Sequence, residues 1–163
     1  MNNNCLFFWH EYAENGYMSN WYESPFVIDG FRYRHVEQYL MAEKAKIFND
    51  LKSYATILKA KTPKECKDLG RKVSPYDDKV WTNVRYDVLK TGVYAKFSQN
   101  PELKQMLLST GDAILAEASP YDAIFGIKLA AKDAVKTLQK DWPGSNLLGK
   151  ALMEVRSELK SAK

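Results

Sequence analysis

Two cysteines and two histidines in 163 residues leave little material for metal or redox chemistry. Cys5 and Cys66 are too few for a disulfide framework or a metal cluster. His10 and His35 stand in no histidine–cysteine ligand spacing, so no metal site and no redox cofactor are expected. Long apolar runs are also missing. The best candidate, "AILAEASPYDAIFGIKLAA", is interrupted by Glu117, Asp122 and Lys128, so no membrane span is expected. The opening "MNNNCLFFWH" has no basic n-region and reads as no secretory signal. Together these absences point to a reducing, cytoplasmic setting. There is no Walker loop, no G-x-G-x-x-G and no G-x-S-x-G, so the common nucleotide-binding and hydrolase signatures are not available to this chain.

What is present is a globular composition, 45% hydrophobic and 27% charged, that excludes a disordered chain. The length suits one domain over 1–163. The net charge of +4 permits an anionic ligand without demanding one. The aromatic share, 13% with ten Tyr and four Trp, offers stacking surfaces beyond those needed to pack a core.

The order of elements reads as α+β, mostly helical, with a small β-sheet near the N-terminus. "CLFFWH" is a short apolar strand, and "FVIDGFRY" is two strands joined at Asp29-Gly30, a hairpin signal. Helices are expected over about 36–48, 50–60 and 78–98. In "TPKECKDLG", Thr62, Pro63 and Glu65 form a capping box that opens another. Asn100 and Pro101 open a helix that stops at Gly111. An extended segment and a loop follow over 112–126. A helix is expected over 129–140, and a last one carries Leu148, Ala151, Leu152, Val155 and Leu159 on one face.

The stretch "HVEQYLMAEKAKIF" carries the chemical signal. At about 100° per residue, Val36, Leu40 and Ile47 share one side of a helix, with Met41 and Phe48 slightly around from them. Glu37 and Lys44 fall between the two groups. They share a face about 10.5 Å apart along the axis, beyond an i,i+4 ion pair. Either Lys44 snorkels to water at the edge of a core, or the two groups grip one ligand from both ends. Elsewhere, Arg71 ends a helix, where it complements the dipole or forks a phosphate. Trp81 suits a core. Ser19 and Asn20 suit a turn or a hydrogen-bonding loop, and Glu117 and Asp122 lie in a turn-rich segment.

In order along the chain stand "FFW", "SNW", "F-x-x-D-G-x-x-Y", "EQY-x-x-x-x-K", "GR", a helix from Trp81 to "KF", "L-x-x-T-G", "E-A-S-x-x-D-x-x-F-G" and "N-x-L-G-x-x-L-M-x-x-R". This series, from Phe7 to Arg156, resembles the NADAR or YbiA-like superfamily, named for NAD and ADP-ribose. The resemblance implies an α+β domain that hydrolyses N-glycosidic bonds without a cofactor. The implied substrates are ADP-ribose on guanine bases of nucleotides, DNA or RNA, or phosphorylated ribosyl intermediates of riboflavin biosynthesis. It implies catalytic roles for Glu37, Lys44 and Asp122. It implies substrate contacts at Asn20 and Trp81, and further contacts are expected at Trp9, Ser19, Arg71, Glu117, Phe125, Gly126 and Asn146. Lys44 is either a nucleophile that forms an imine or a cation that binds phosphate. The family pattern has Trp where Phe125 stands, and "GIK" follows where Gly-rich sequence is common, a departure that bears on substrate preference. Two alternatives keep many of these residues without catalysis: a module that binds ADP-ribose or nucleotides, and a single-strand nucleic-acid binder.

Overall fold

The computed structural model describes residues 4–162. The chain packs as two compact units, Glu23–Asn100 and the combination of Met1–Tyr22 with Pro101–Lys163. Its architecture is α+β with helices in the majority.

In the Glu23–Asn100 unit, strands β2 (Phe26–Ile28) and β3 (Phe31–Tyr33) form the expected antiparallel hairpin. Asp29 and Gly30 turn it at φ 50° and 82°, as a two-residue turn with left-handed backbone requires. Four helices follow: α1 (Val36–Ile47), α2 (Leu51–Lys59), α3 (Pro63–Gly70) and α4 (Asp78–Gln99). Each start carries its own cap. For α1, His35 Nδ1 accepts the Gln38 backbone N–H at 3.1 Å, and Gln38 Oε1 accepts the Arg34 N–H at 2.8 Å. The Gln38 amide also donates to the Ile57 carbonyl at 3.1 Å, tying the start of α1 to the end of α2. The chain leaves α1 through Asn49 at φ 55°. The Asp50 N–H bonds back to the Ala45 carbonyl and the Asn49 N–H to Lys46, a Schellman ending. Thr62 caps α3 through the Glu65 N–H, while the Glu65 carboxylate reaches the Lys61 N–H, one residue earlier than a standard capping box places it.

Helix α1 packs against α2, α3 and α4. Val36, Leu40, Ala42 and Ala45 are fully enclosed. Gly70 lets α3 approach, since a methyl there would run into Met41, and Gly92 does the same for α4 against the Tyr39 ring. Ile47, expected on the apolar stripe, is exposed instead. Burial is concentrated in the first half of α1, where three helices surround it, and fades over its last turn.

In the other unit, β1 (Cys5–Phe8) pairs in parallel with β4 (Ile114–Glu117), in the register Cys5 to Ile114 through Phe8 to Glu117. Among the described residues the strands thus form two separate two-stranded ladders, one of which recruits the segment 114–117. Helix α5 (Pro101–Ser109) and helix α7 (Leu147–Ser161) complete the unit, with Leu148, Ala151, Leu152, Val155 and Leu159 of α7 all buried, as the periodicity predicts. Asn100 ends α4, its amide donating to the Lys96 and Pro25 carbonyls at 2.7 and 3.1 Å.

The helix expected over 129–140 is not continuous. Only α6 (Ala131–Ala134) forms, followed by a turn and a short 3-10 segment, Gln139–Asp141. Ala134 alone of this stretch is buried, while Val135 and Leu138 face solvent. With no apolar face docked, nothing offsets the entropy of a longer lysine-rich helix. No helix among the described residues is long and apolar enough to cross a membrane.

Candidate active site

Helix α1 places Glu37 and Lys44 two turns apart, and the two differ sharply in their surroundings. Glu37 is 8% exposed, so its carboxylate lies inside the unit. Lys44 is half-buried and its amine is surrounded by rings: Nζ lies 4.8 Å from the centre of Tyr76 and 5.9 Å from that of Trp81. Burial pushes the Lys44 pKa down. The Glu37 carboxylate pulls it back up, Arg71 lowers it again, and Asp78 raises it. Burial is the largest of these influences, so the neutral amine is more accessible here than on a surface lysine.

The rings reach the amine by local chain geometry. Asp77 caps α4 by accepting the Lys79 N–H at 2.9 Å, which sets Trp81 in the first turn, 5% exposed. Tyr76 precedes that cap, and its hydroxyl donates to Asp78 Oδ1 at 2.9 Å. The edge of Phe48 closes on Tyr76 with centroids 5.2 Å apart. The connecting loop is tethered further back. Asp50 caps α2 by accepting the Ser53 N–H on Oδ1 at 3.1 Å, and its Oδ2 accepts both the Ser53 hydroxyl at 2.6 Å and the Ser74 N–H at 3.0 Å. These three hydrogen bonds hold the Asp50 carboxyl below its ordinary pKa. Arg71, at the end of α3, is exposed, and its charge acts on Lys44. The nearby thiol of Cys66 is fully buried and pushed up to about 12, chiefly by burial and then by Glu37 and Glu65. At neutral pH it is an inert thiol, not a nucleophile.

The sequence reading placed Phe48 near Lys44 but missed Tyr76 and Asp78. Tyr76 carries no periodic signal because it lies in a loop. Its proximity to Lys44 depends on the Asp50–Ser74 tether and the α4 cap, neither of which is local to Lys44.

The other unit holds the remaining predicted residues. Asp122 Oδ1 accepts two backbone N–H groups, Ile124 at 2.8 Å and Phe125 at 2.9 Å, which shapes the loop and leaves its second oxygen outside that turn. Gly126 sits where a methyl would crowd the carbonyls of Glu117 and Asp122. Asn146 adopts left-handed backbone at the start of α7. Its amide donates to the Leu115 carbonyl at 3.0 Å and its Oδ1 accepts the Glu117 N–H at 3.1 Å. Asn146 therefore binds the edge of β4 and positions Glu117, a partly buried residue. Ser19 Oγ accepts the Trp21 N–H at 3.1 Å. Asn20 is 7% exposed, and its buried Oδ1 has no hydrogen-bond partner within the protein. An acceptor left that way is suited to a ligand donor. Trp9 stacks on His10 at 3.9 Å and tilts against Tyr121 at 5.9 Å. Among the described residues, no three His, Cys, Asp or Glu side chains form a group able to hold a metal ion.

Comparison with known proteins gives the family of the chain. The family model of the NADAR domain matches residues 7–160. The chain is 43% identical over 126 residues to the N-glycosidase R617 of Acanthamoeba polyphaga mimivirus, covering 77% of this chain and 74% of that protein. It is 31% identical over 159 residues to the N-glycosidase YbiA of Escherichia coli, 98% of this chain and 91% of that one. The solution structure of E. coli YbiA superposes with a TM-score of 0.81, covering 99% of this chain and 88% of that chain. The riboflavin biosynthesis protein VVA0006 of Vibrio vulnificus is 30% identical over 154 residues, 94% of this chain but 38% of its own length. The chain belongs to the NADAR domain family.

Proposed function

We propose that this protein hydrolyses the N-glycosidic bond between ADP-ribose and guanine, through a covalent imine on Lys44. The coarser part is set by family: relatives matched over most of their length are N-glycosidases, and this chain is an enzyme of that class. The family match crosses both compact units, which supports reading 1–163 as one functional domain. The observation that supports the finer step is the Lys44 amine, half-buried beside two aromatic rings, with its pKa driven down by burial.

The lone pair of neutral Lys44 attacks the anomeric carbon, and the bond from that carbon to the base nitrogen breaks. The base leaves with a proton supplied by an acid, Glu37. The ribose ring oxygen then leaves the same carbon and takes a proton, giving an open-chain imine. Water adds to the imine carbon, the amine departs, and the sugar recloses with Lys44 regenerated. A lysine suits this cycle only when part of it is neutral at working pH. Beside Lys44, Trp81 supplies a stacking face for the base or adenine and Arg71 a phosphate contact. The free thiols of Cys5 and Cys66 fit a cytoplasmic setting.

A second reading takes a phosphorylated ribosylamine of riboflavin biosynthesis as substrate, favoured by the match to the Vibrio protein. Incubation with ADP-ribosylated guanosine in DNA, and separately with that ribosylamine, separates the two by mass spectrometry of the released base and sugar. Borohydride added during turnover is expected to fix a sugar on Lys44. Lys44→Arg keeps the charge but cannot deprotonate, so it is expected to be inactive. An active Arg enzyme with no adduct leaves Lys44 as a phosphate-binding cation and returns the mechanism to acid–base hydrolysis.

A further inference from the structure

A lysine side chain has four rotatable bonds and a strongly hydrated head, so an amine at the margin of a core normally extends to water. Lys44 does not. Its Nζ lies beneath the ring of Tyr76, and that ring has no packing reason of its own to be there, since Tyr76 is 45% exposed. What fixes it is polar and directional. The hydroxyl donates to Asp78 Oδ1, the Phe48 edge supports the ring from the α1 side, and the Ser74 N–H bond to Asp50 holds the loop two residues earlier. An exposed ring held at three points over a single amine is more order than a surface loop needs.

We infer that Tyr76 is a positioning residue for Lys44: its ring, latched to Asp78 through its hydroxyl, holds the amine against Trp81 and keeps water from it. This rests on the reading of Lys44 as the reacting amine. The charged groups acting on that amine come from every neighbouring element: Glu37 on α1, Arg71 at the end of α3, and Asp78 in the first turn of α4. The ring acts in two opposite ways. Its face favours the ammonium form, and its bulk removes water and disfavours it. Burial is the largest influence on Lys44 and lowers its pKa, and the Tyr76 ring is one of the groups lying against that amine. The latch uses the phenol as a donor. The Tyr76 pKa is raised by burial and by the bond to Asp78, which keeps the proton on the hydroxyl.

The test reads Lys44 directly, apart from turnover. Competitive labelling with limiting acetic anhydride across a pH series, followed by peptide mass spectrometry, gives the titration midpoint of the Lys44 amine. In Tyr76→Ala it is expected to rise toward the ordinary lysine value by about one unit, the usual spread of lysine environments. Tyr76→Phe, which keeps the ring and loses the latch, is expected to move it less in the same direction. Asp78→Asn keeps an acceptor for the hydroxyl but removes a carboxylate, so its midpoint is expected to stay or fall. Turnover in Tyr76→Ala should show kcat falling by more than KM rises, with the acidic limb of the pH profile displaced alongside the labelling midpoint. Midpoints of Tyr76→Ala and wild type that coincide overturn the inference, even in an active enzyme. A wild type that cleaves neither N-glycoside, yet shows the shift in Tyr76→Ala, removes the proposed function and leaves the positioning role standing.

Discussion

Lys44 of α1 and Trp81 of α4 meet with the ammonium nitrogen 5.9 Å from the ring centre, although 37 positions separate them in the sequence. The contact is made because the first turn of α4 is fixed by its Asp77 cap and α4 closes on α1 at Gly92. It joins the helix that carries Glu37 and Lys44 to an aromatic wall.

Replacing Glu37 by Gln should leave the fold intact and lower kcat by ~10²–10⁴, the usual effect of removing a positioned acid or base. The side chain keeps its shape and loses only its proton chemistry. Steady-state kinetics beside a thermal melt decide the point; a folded variant with near wild-type kcat takes Glu37 out of the mechanism.

The start of α1 should be acid-sensitive. His35 caps the helix by accepting a hydrogen bond on Nδ1, which requires the ring to be neutral. Its pKa is lowered to about 4, first by burial and then by the charges of Arg34 and Lys96. The unfolded chain therefore binds more protons than the folded one between about pH 6.5 and 4. Stability from this group is complete above the upper value and is lost as pH falls through the window, by up to about 3 kcal/mol. In His35→Asn, a capping acceptor that cannot protonate, the fall of Tm across that window should be shallower than in wild type. Parallel curves would assign the acid sensitivity elsewhere.

Gly149→Ala should be costly, because the added methyl would meet the Leu115 carbonyl and the Asn146 amide. Backbone cannot step aside as a flexible side chain can, so the loss is expected at ~1–3 kcal/mol or beyond. Chemical denaturation measures it. A change below about 0.5 kcal/mol, the scale of an ordinary surface substitution, would show that α7 can shift away from β4.

Phe125→Trp restores the residue common in the family pattern. Its expected effect is on the ratio of kcat/KM for the two candidate substrates, more than on kcat for either. The Phe125 N–H is held by Asp122, so the backbone keeps the new side chain in the same place. Unchanged ratios would show that this position does not set specificity.

Much of this protein is written locally. The hairpin at Asp29-Gly30, the Thr62 cap, the buried face of α7 and the shared face of Glu37 and Lys44 each follow from residues within a few turns of one another. Backbone preference and period suffice there, because the interacting groups are neighbours in sequence. Packing decided the rest. β1 takes its parallel partner from Ile114–Glu117, about a hundred residues away, and no strand propensity names a partner at that distance. The stretch 129–140 has helical composition but no surface to bury against, so it forms one turn and stops. Ile47 lies on the predicted stripe and faces solvent, because the surrounding helices bury the first half of α1 more deeply than its last turn. Sequence by itself put an acid and an amine on one helix face. Tertiary structure alone placed the Tyr76 ring over that amine, since the bonds that hold it run through Asp50, Ser74 and Asp78, on segments brought together only when the helices dock.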